Sequence, residues 1–74
     1  MMGETDAELI VAVNGAETCV PAGHTVADLV ASRGLKPIQV AVEINKDIVP
    51  RATHPDRVLE AGDRVEIVTL VGGG

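Results

Sequence analysis

Leu9-Ile10-Val11-Ala12-Val13-Asn14-Gly15-Ala16-Glu17-Thr18-Cys19-Val20 decides the architecture. Its first five residues are apolar and largely β-branched, a short run that fits a strand. Asn14-Gly15 follows, and both residue types accept the positive φ of a type I′ turn. The chain then returns to an extended pattern, so it opens on a β-hairpin. Pro21-Ala22-Gly23 closes the second strand by removing a donor and loosening the backbone.

Downstream, Thr25 fits a helix N-cap and Asp28 lies three residues on, the spacing of a capping box. Val26, Leu29 and Val30 then form one apolar face at i, i+3 and i+4. Arg33 suits the negative end of the helix dipole and Gly34 the position just past it, which predicts a helix over 25–33. Leu35 folds back on the same core, and Lys36-Pro37 marks the exit.

In Gln39–Ile44, Val40, Val42 and Ile44 alternate with Gln39, Ala41 and Glu43, as in a half-buried strand. Asn45-Lys46-Asp47 reads as a turn, and Ile48-Val49 as a very short strand stopped by Pro50. Residues 51–59 show no clear period, so they are expected to be loop with one helical turn near Asp56–Leu59. Ala61-Gly62-Asp63 is a further turn. From Arg64 to Val71, Val65, Ile67, Thr69 and Val71 share one side, and Glu66, Val68 and Leu70 the other.

The first and last strands are the most continuously apolar, as strands in the middle of a sheet are. Placing them parallel and adjacent under one helix gives an α+β, ubiquitin-like β-grasp fold. Its sheet would be mixed and four- to five-stranded, with one main helix across one face. A three-stranded sheet with an unrelated helix is the alternative, and it leaves more apolar surface uncovered. The expected organisation is an N-terminal extension over 1–7, the domain over 8–71, and a glycine tail over 72–74.

Composition narrows the function. Seventy-four residues suffice for one small domain. With 46% hydrophobic and 23% charged residues, the chain is globular rather than disordered. Eleven acidic residues against six basic ones give a net charge of −5, the wrong sign for phosphate neutralisation, and no aromatic residue offers a base a stacking platform. Nucleic acid is therefore not an expected partner. One cysteine excludes an internal disulfide, and Cys19, His24 and His54 form no metal-ligand spacing. The N-terminus lacks signal-peptide character, and no apolar run approaches the roughly 20 residues of a membrane span. The expected location is the cytoplasm.

The β-grasp order and the terminal glycines resemble the ubiquitin-like sulfur carrier family, ThiS/MoaD, over Leu9–Gly74. Val13-Asn14-Gly15, Ile44–Arg51, Leu59–Ile67 and Val71-Gly72-Gly73-Gly74 look most like the ThiS branch, which carries sulfur for the thiazole of thiamine. Thr69-Leu70 stands where aromatic residues are common in that group. The resemblance implies that the Gly74 carboxylate is adenylated and then converted to a thiocarboxylate. The E1-like adenylating enzyme would use ATP and Mg²⁺, a persulfide or other donor would supply sulfur, and thiazole synthase would receive it. The chain itself would be a protein co-substrate, binding no cofactor and catalysing nothing. The small subunit of molybdopterin synthase and a ubiquitin-like protein modifier are the rival readings.

Read residue by residue, an ionised α-carboxylate at Gly74 is a competent nucleophile toward the α-phosphorus of ATP. Gly72 and Gly73 lack Cβ and suit a tail threading a narrow channel; three glycines are otherwise an ordinary frayed end. Val68 and Leu70 are expected on the outer face beside Val71, as a docking patch, unless Ala41 or the Arg51 loop covers them. Cys19 has no cationic neighbour and reads as a structural thiol rather than a nucleophile. His24 and His54 are expected to be solvated, with His24 placed to aid the helix cap, and Glu60 and Asp63 to be solvated turn charges. Arg51 and Arg57 are free to meet an acidic partner.

Overall fold

The computed structural model describes residues 7–70. Its elements are β1 (Glu8–Val13), β2 (Ala16–Pro21), α1 (Val26–Ser32), β3 (Val40–Ile44), β4 (Asp47–Val49) and β5 (Arg64–Thr69). Short 3₁₀ turns occupy Pro37–Gln39 and Arg51–Thr53. The sheet has five strands in the order β2-β1-β5-β3-β4. β1 and β5 run parallel, whereas the β1–β2, β3–β4 and β3–β5 pairs are antiparallel. This is the mixed β-grasp sheet that the sequence order implies, with β5 at its centre.

The hairpin closes as Asn14-Gly15 predicts, with φ of 51° and 85° at the two residues. The helix is built as its sequence implies. Thr25 is the N-cap, its hydroxyl accepts from the Asp28 N–H at 3.1 Å, and the Asp28 carboxylate accepts from the Thr25 N–H at 3.0 Å. At the other end Gly34 sits at φ 74°, the Gly34 N–H bonds the Ala31 carbonyl and the Leu35 N–H the Val30 carbonyl. These are the paired bonds of a Schellman motif, and they turn the partly buried Leu35 back onto the core.

Val26, Leu29 and Val30 of α1 pack with Val11, Val13, Val40, Val42, Ile44, Val65 and Ile67 of the sheet. Thr69, in phase with Val65 and Ile67, is nevertheless exposed, although Val40 opposite it in β3 is buried. The strand expected over 64–71 ends at Thr69, and Val71 lies outside the described residues. Of the expected 1–7 extension only Ala7 is described, and its carbonyl accepts from the Ala22 N–H at 3.1 Å.

The 51–59 segment also departs from expectation, because its helical turn forms at Arg51–Thr53 rather than at Asp56–Leu59. The helix N-terminus supplies the reason. Its first N–H groups have no partner within the helix; Val26 donates instead to the Arg57 carbonyl at 2.9 Å and Ala27 to the His54 carbonyl at 3.0 Å. Val58 then bridges to Thr25, and the Leu59 N–H bonds the His24 carbonyl at 2.8 Å, so residues 57–59 are drawn straight. Among the described residues no helix is long and apolar enough to cross a membrane.

The capping box makes a pH prediction. Hydrogen bonds from the backbone and side chain of Thr25 hold the exposed Asp28 carboxyl below its ordinary pKa. A depressed folded pKa means that the contribution is present at neutral pH and lost as pH falls through the folded value. Wild type should therefore exceed Asp28→Asn in thermal midpoint near neutrality, and the gap should narrow as pH falls below the ordinary carboxylate range. Melting curves over that range check it, and a gap that persists undiminished in acid refutes it.

Candidate functional site

β5 leads directly toward the C-terminal glycines, so the groups that fix β5 define the site. On one side, the β3–β5 ladder pairs Val40 with Thr69 through Ile44 with Val65, and the Leu70 N–H still bonds the Gln39 carbonyl at 2.7 Å. On the other side the parallel pairing with β1 covers only Ala12–Arg64 and Val13–Val65. Asn14 lengthens it. Its side-chain Oδ1 accepts from the Ile67 N–H at 2.7 Å, and its Nδ2 donates to the Ile67 carbonyl at 3.2 Å. The carboxamide thus behaves as one more peptide unit of β1 after the backbone has turned away.

A second anchor holds the start of β5. Asp63, expected as a solvated charge, is 5% exposed. Its carboxylate accepts from the Glu60 N–H at 2.9 Å and from Asn45 Nδ2 at 3.2 Å, and lies 3.5 Å from Arg57 Nη2. Asn45 also accepts from the Arg64 N–H at 3.0 Å. Arg57 is therefore not the free surface cation that its sequence position implied, since its other nitrogen donates to the Val58 carbonyl. Buried polar groups need such partners, and here they join the β3–β4 turn to β5.

His54 also corrects its expectation, being 2% exposed rather than solvated. Its Nε2 lies 3.1 Å from the Val49 carbonyl. A carbonyl only accepts, so Nε2 carries the proton there, and the buried Nδ1 has no partner among the described residues. His54 follows directly on the Arg51–Thr53 turn that Pro50 opens. His24 remains half-buried, its ring 3.9 Å from Asp28 beside the helix cap. Cys19 is free and exposed on the edge strand β2, opposite Ile10 in register. Arg51 is exposed.

Val68 and Leu70 are 56% and 54% exposed, so neither Ala41 nor the Arg51 loop covers them. Ala41 faces Val68 across the β3–β5 pair. Beside them a shallow cavity of about 190 Å³ is lined by Ala41, Ile48, Pro50, Arg51, His54 and Leu70. The apolar patch therefore lies on the face away from α1, at the end of the strand from which the tail departs. Gly72, Gly73, Gly74 and Val71 lie outside the described residues. Among the described residues no group of three or more His, Cys, Asp and Glu is placed to hold a metal ion.

Sheet order and helix placement define a β-grasp domain with an apolar patch on the outer face of its central strand. Residues 7–74 match the model of the ThiS family, and the chain belongs to that family. The fold is similar to the crystal structure of the thiamine biosynthesis protein ThiS from Geobacter metallireducens. The TM-score is 0.72 at 26% identity, over 89% of this chain and 100% of that one. The solution structure of a thiamine biosynthesis protein from the same organism gives 0.70 at 26% identity, over 89% of this chain and 88% of that one. Two proteins called thiazole synthase also match over 62 residues, or 84% of this chain. That of Paramagnetospirillum magneticum is 39% identical and that of Magnetococcus marinus 40%. The chain spans only 19% of the length of each of these curated relatives.

The exposure of the patch is directly testable. Val68→Glu and Leu70→Glu should each change stability by no more than about 0.5 kcal/mol, as exposed substitutions do. Ile67→Glu, one residue away on the buried face, should unfold the domain. Denaturant melts of the three variants distinguish these outcomes, and unfolding by Val68→Glu would reverse the assigned faces.

Proposed function

We propose that this chain is a sulfur carrier of thiamine biosynthesis, acting through the carboxylate of Gly74. The observation that carries the reading is the ThiS-family match, which runs to residue 74 and so takes in the glycine terminus. The two relatives called thiazole synthase favour the thiazole branch over molybdopterin synthesis.

A carboxylate oxygen is too poor a leaving group for sulfur to displace. On the adenylating enzyme the Gly74 carboxylate attacks the α-phosphorus of ATP, with Mg²⁺ on the phosphates, and pyrophosphate leaves. The terminal sulfur of a persulfide then attacks the acyl carbon and expels AMP. A thiol that cleaves the resulting S–S bond releases the thiocarboxylate. Thiazole synthase takes up that sulfur. The chain is a co-substrate with no catalytic activity of its own, acting in the cytoplasm.

Gly72 and Gly73 contribute a backbone without side chains, slim enough for a channel to the nucleotide. Val68, Leu70 and Val71 contribute the apolar patch on which the adenylating enzyme and the synthase dock. More than half of each of the two described side chains is open to a partner. Burying such surface stabilises a complex by roughly 25 cal/mol per Å². Cys19 takes no part: it lies on β2, and β1 separates that strand from β5.

Geometry supplies the test. The carboxylate must come within roughly 3–3.5 Å of phosphorus, and removing one extended residue withdraws it by about 3.3–3.6 Å. Deleting Gly74, or appending Leu after it, should therefore abolish ATP–pyrophosphate exchange with the adenylating enzyme and leave the melting curve unchanged. Cys19→Ser should retain exchange. With a persulfide donor present, intact mass should show one oxygen replaced by sulfur. Normal exchange by the shortened chain, or mass appearing on lysines of other proteins, would refute the carrier reading.

A further inference from the structure

Asn14 holds β5, yet Asn14-Gly15 is also the dipeptide most prone to intramolecular attack on an asparagine side chain. Gly15 has no side chain to crowd its own nitrogen as that nitrogen approaches Asn14 Cγ. The turn is exposed at both residues. What opposes the reaction is the pair of bonds to Ile67, at 2.7 and 3.2 Å, which engage both Oδ1 and Nδ2. With both ends of the carboxamide held on β5, Cγ is not free to swing onto the Gly15 nitrogen.

We propose that Asn14 is a spontaneous deamidation site that the fold keeps unreactive by latching its carboxamide to Ile67, so that loosening of β5 exposes and marks it. When the latch opens, the deprotonated Gly15 nitrogen attacks Asn14 Cγ. The N–Cγ bond forms, the Cγ–Nδ2 bond breaks, and ammonia leaves. Water then opens the cyclic imide at one of its two carbonyls. Attack at Cγ gives aspartate; attack at the main-chain carbonyl gives isoaspartate, with the backbone rerouted through Cβ. No electrons are transferred and water is the only co-reactant.

Either product weakens the latch that formed it. An aspartate carboxylate has no donor for the Ile67 carbonyl and places two acceptors against each other. Isoaspartate adds a methylene to a two-residue turn whose geometry sets the β1–β2 register. The change therefore acts on the two-pair ladder between β1 and β5 and persists once made. Asn45, the other asparagine of the chain, is an internal comparison. Its side chain is also held, by the Arg64 N–H at 3.0 Å and Asp63 at 3.2 Å, but Lys46 follows it and crowds the attacking nitrogen.

The experiment ages the full-length protein at mildly alkaline pH and quantifies conversion at Asn14 by peptide mass mapping, with and without denaturant. Amide exchange at Ile67 is measured in parallel under native conditions. Unfolded protein should convert at Asn14 and hardly at Asn45. Folded protein should convert about tenfold more slowly or less, because only the locally open fraction reacts. The ratio of folded to unfolded rates should equal the open fraction reported by the Ile67 amide. Equal rates in the two states, a folded rate above that open fraction, or an inert Asn14 in denaturant would each overturn the proposal. Mass and exchange are read without any adenylating enzyme, so the outcome is independent of the sulfur-carrier reading.

Discussion

The parallel contact between β1 and β5 is the constraint on which this molecule turns. Among the described residues it joins the first strand to the last. Every other strand pair is antiparallel. Parallel strands cannot be joined by a tight turn, so everything between Val13 and Arg64 serves as their connection. Closing so long a loop is entropically costly, although the cost grows only slowly with length. Two residue pairs are a small return on that closure. The side chain of Asn14 extends the grip to Ile67, and the Ala12 N–H bond to the Asp63 carbonyl holds the other end of the pairing.

The same economy governs the segment that returns from β4 to β5. Residues 51–59 have little regular structure, yet their carbonyls satisfy the first N–H groups of α1, and Leu59 is buried in the core. The helix needs those acceptors, because its capping box serves only part of its first turn. The loop needs the helix, because its own backbone groups would otherwise be left without partners. Helix, loop and sheet edge are thereby coupled, and His54 is enclosed where they meet. Such coupling suits a small domain, which buries only about 60% of its unfolded surface and has little core to spare.

Patterned segments declared themselves in the sequence and tertiary polar contacts did not. The Asn14-Gly15 turn, the Thr25–Asp28 box and the Gly34 stop are local rules, each decided within a few residues. The alternation in β3 and β5 was equally legible, because only a period of two buries Val40, Val42, Ile44, Val65 and Ile67 together. His54, Asp63 and Arg57 were misread for one shared reason. A polar residue in an unpatterned segment is solvated by default, and its burial depends on tertiary packing that no local period encodes. Asp63 meets Asn45 across 18 positions, and Asn14 meets Ile67 across 53. No local pattern encodes either contact. The glycine terminus lay at the other extreme: its sequence was plain, and the chemistry assigned to it came from resemblance to a family rather than from any neighbouring group.

Under the carrier reading proposed above, that contrast bears on how a main-chain group can serve a demanding reaction. If the reacting group is a main-chain carboxylate, no side chain has to be tuned for nucleophilicity, and the fold's task reduces to presentation. Presentation needs a rigid base, and β5 supplies one, with neighbours on both edges and Val65 and Ile67 buried beneath α1. It also needs a surface that a partner can grip without disturbing the core. The outer face supplies one at Val68 and Leu70, because the pleat sends alternate residues of the same strand to opposite sides. One strand thus anchors the core on one face, offers the patch on the other, and continues into the tail. Moving the tail to an edge strand such as β4 would keep its chemistry and lose that rigidity, since β4 has three residues and a single neighbour.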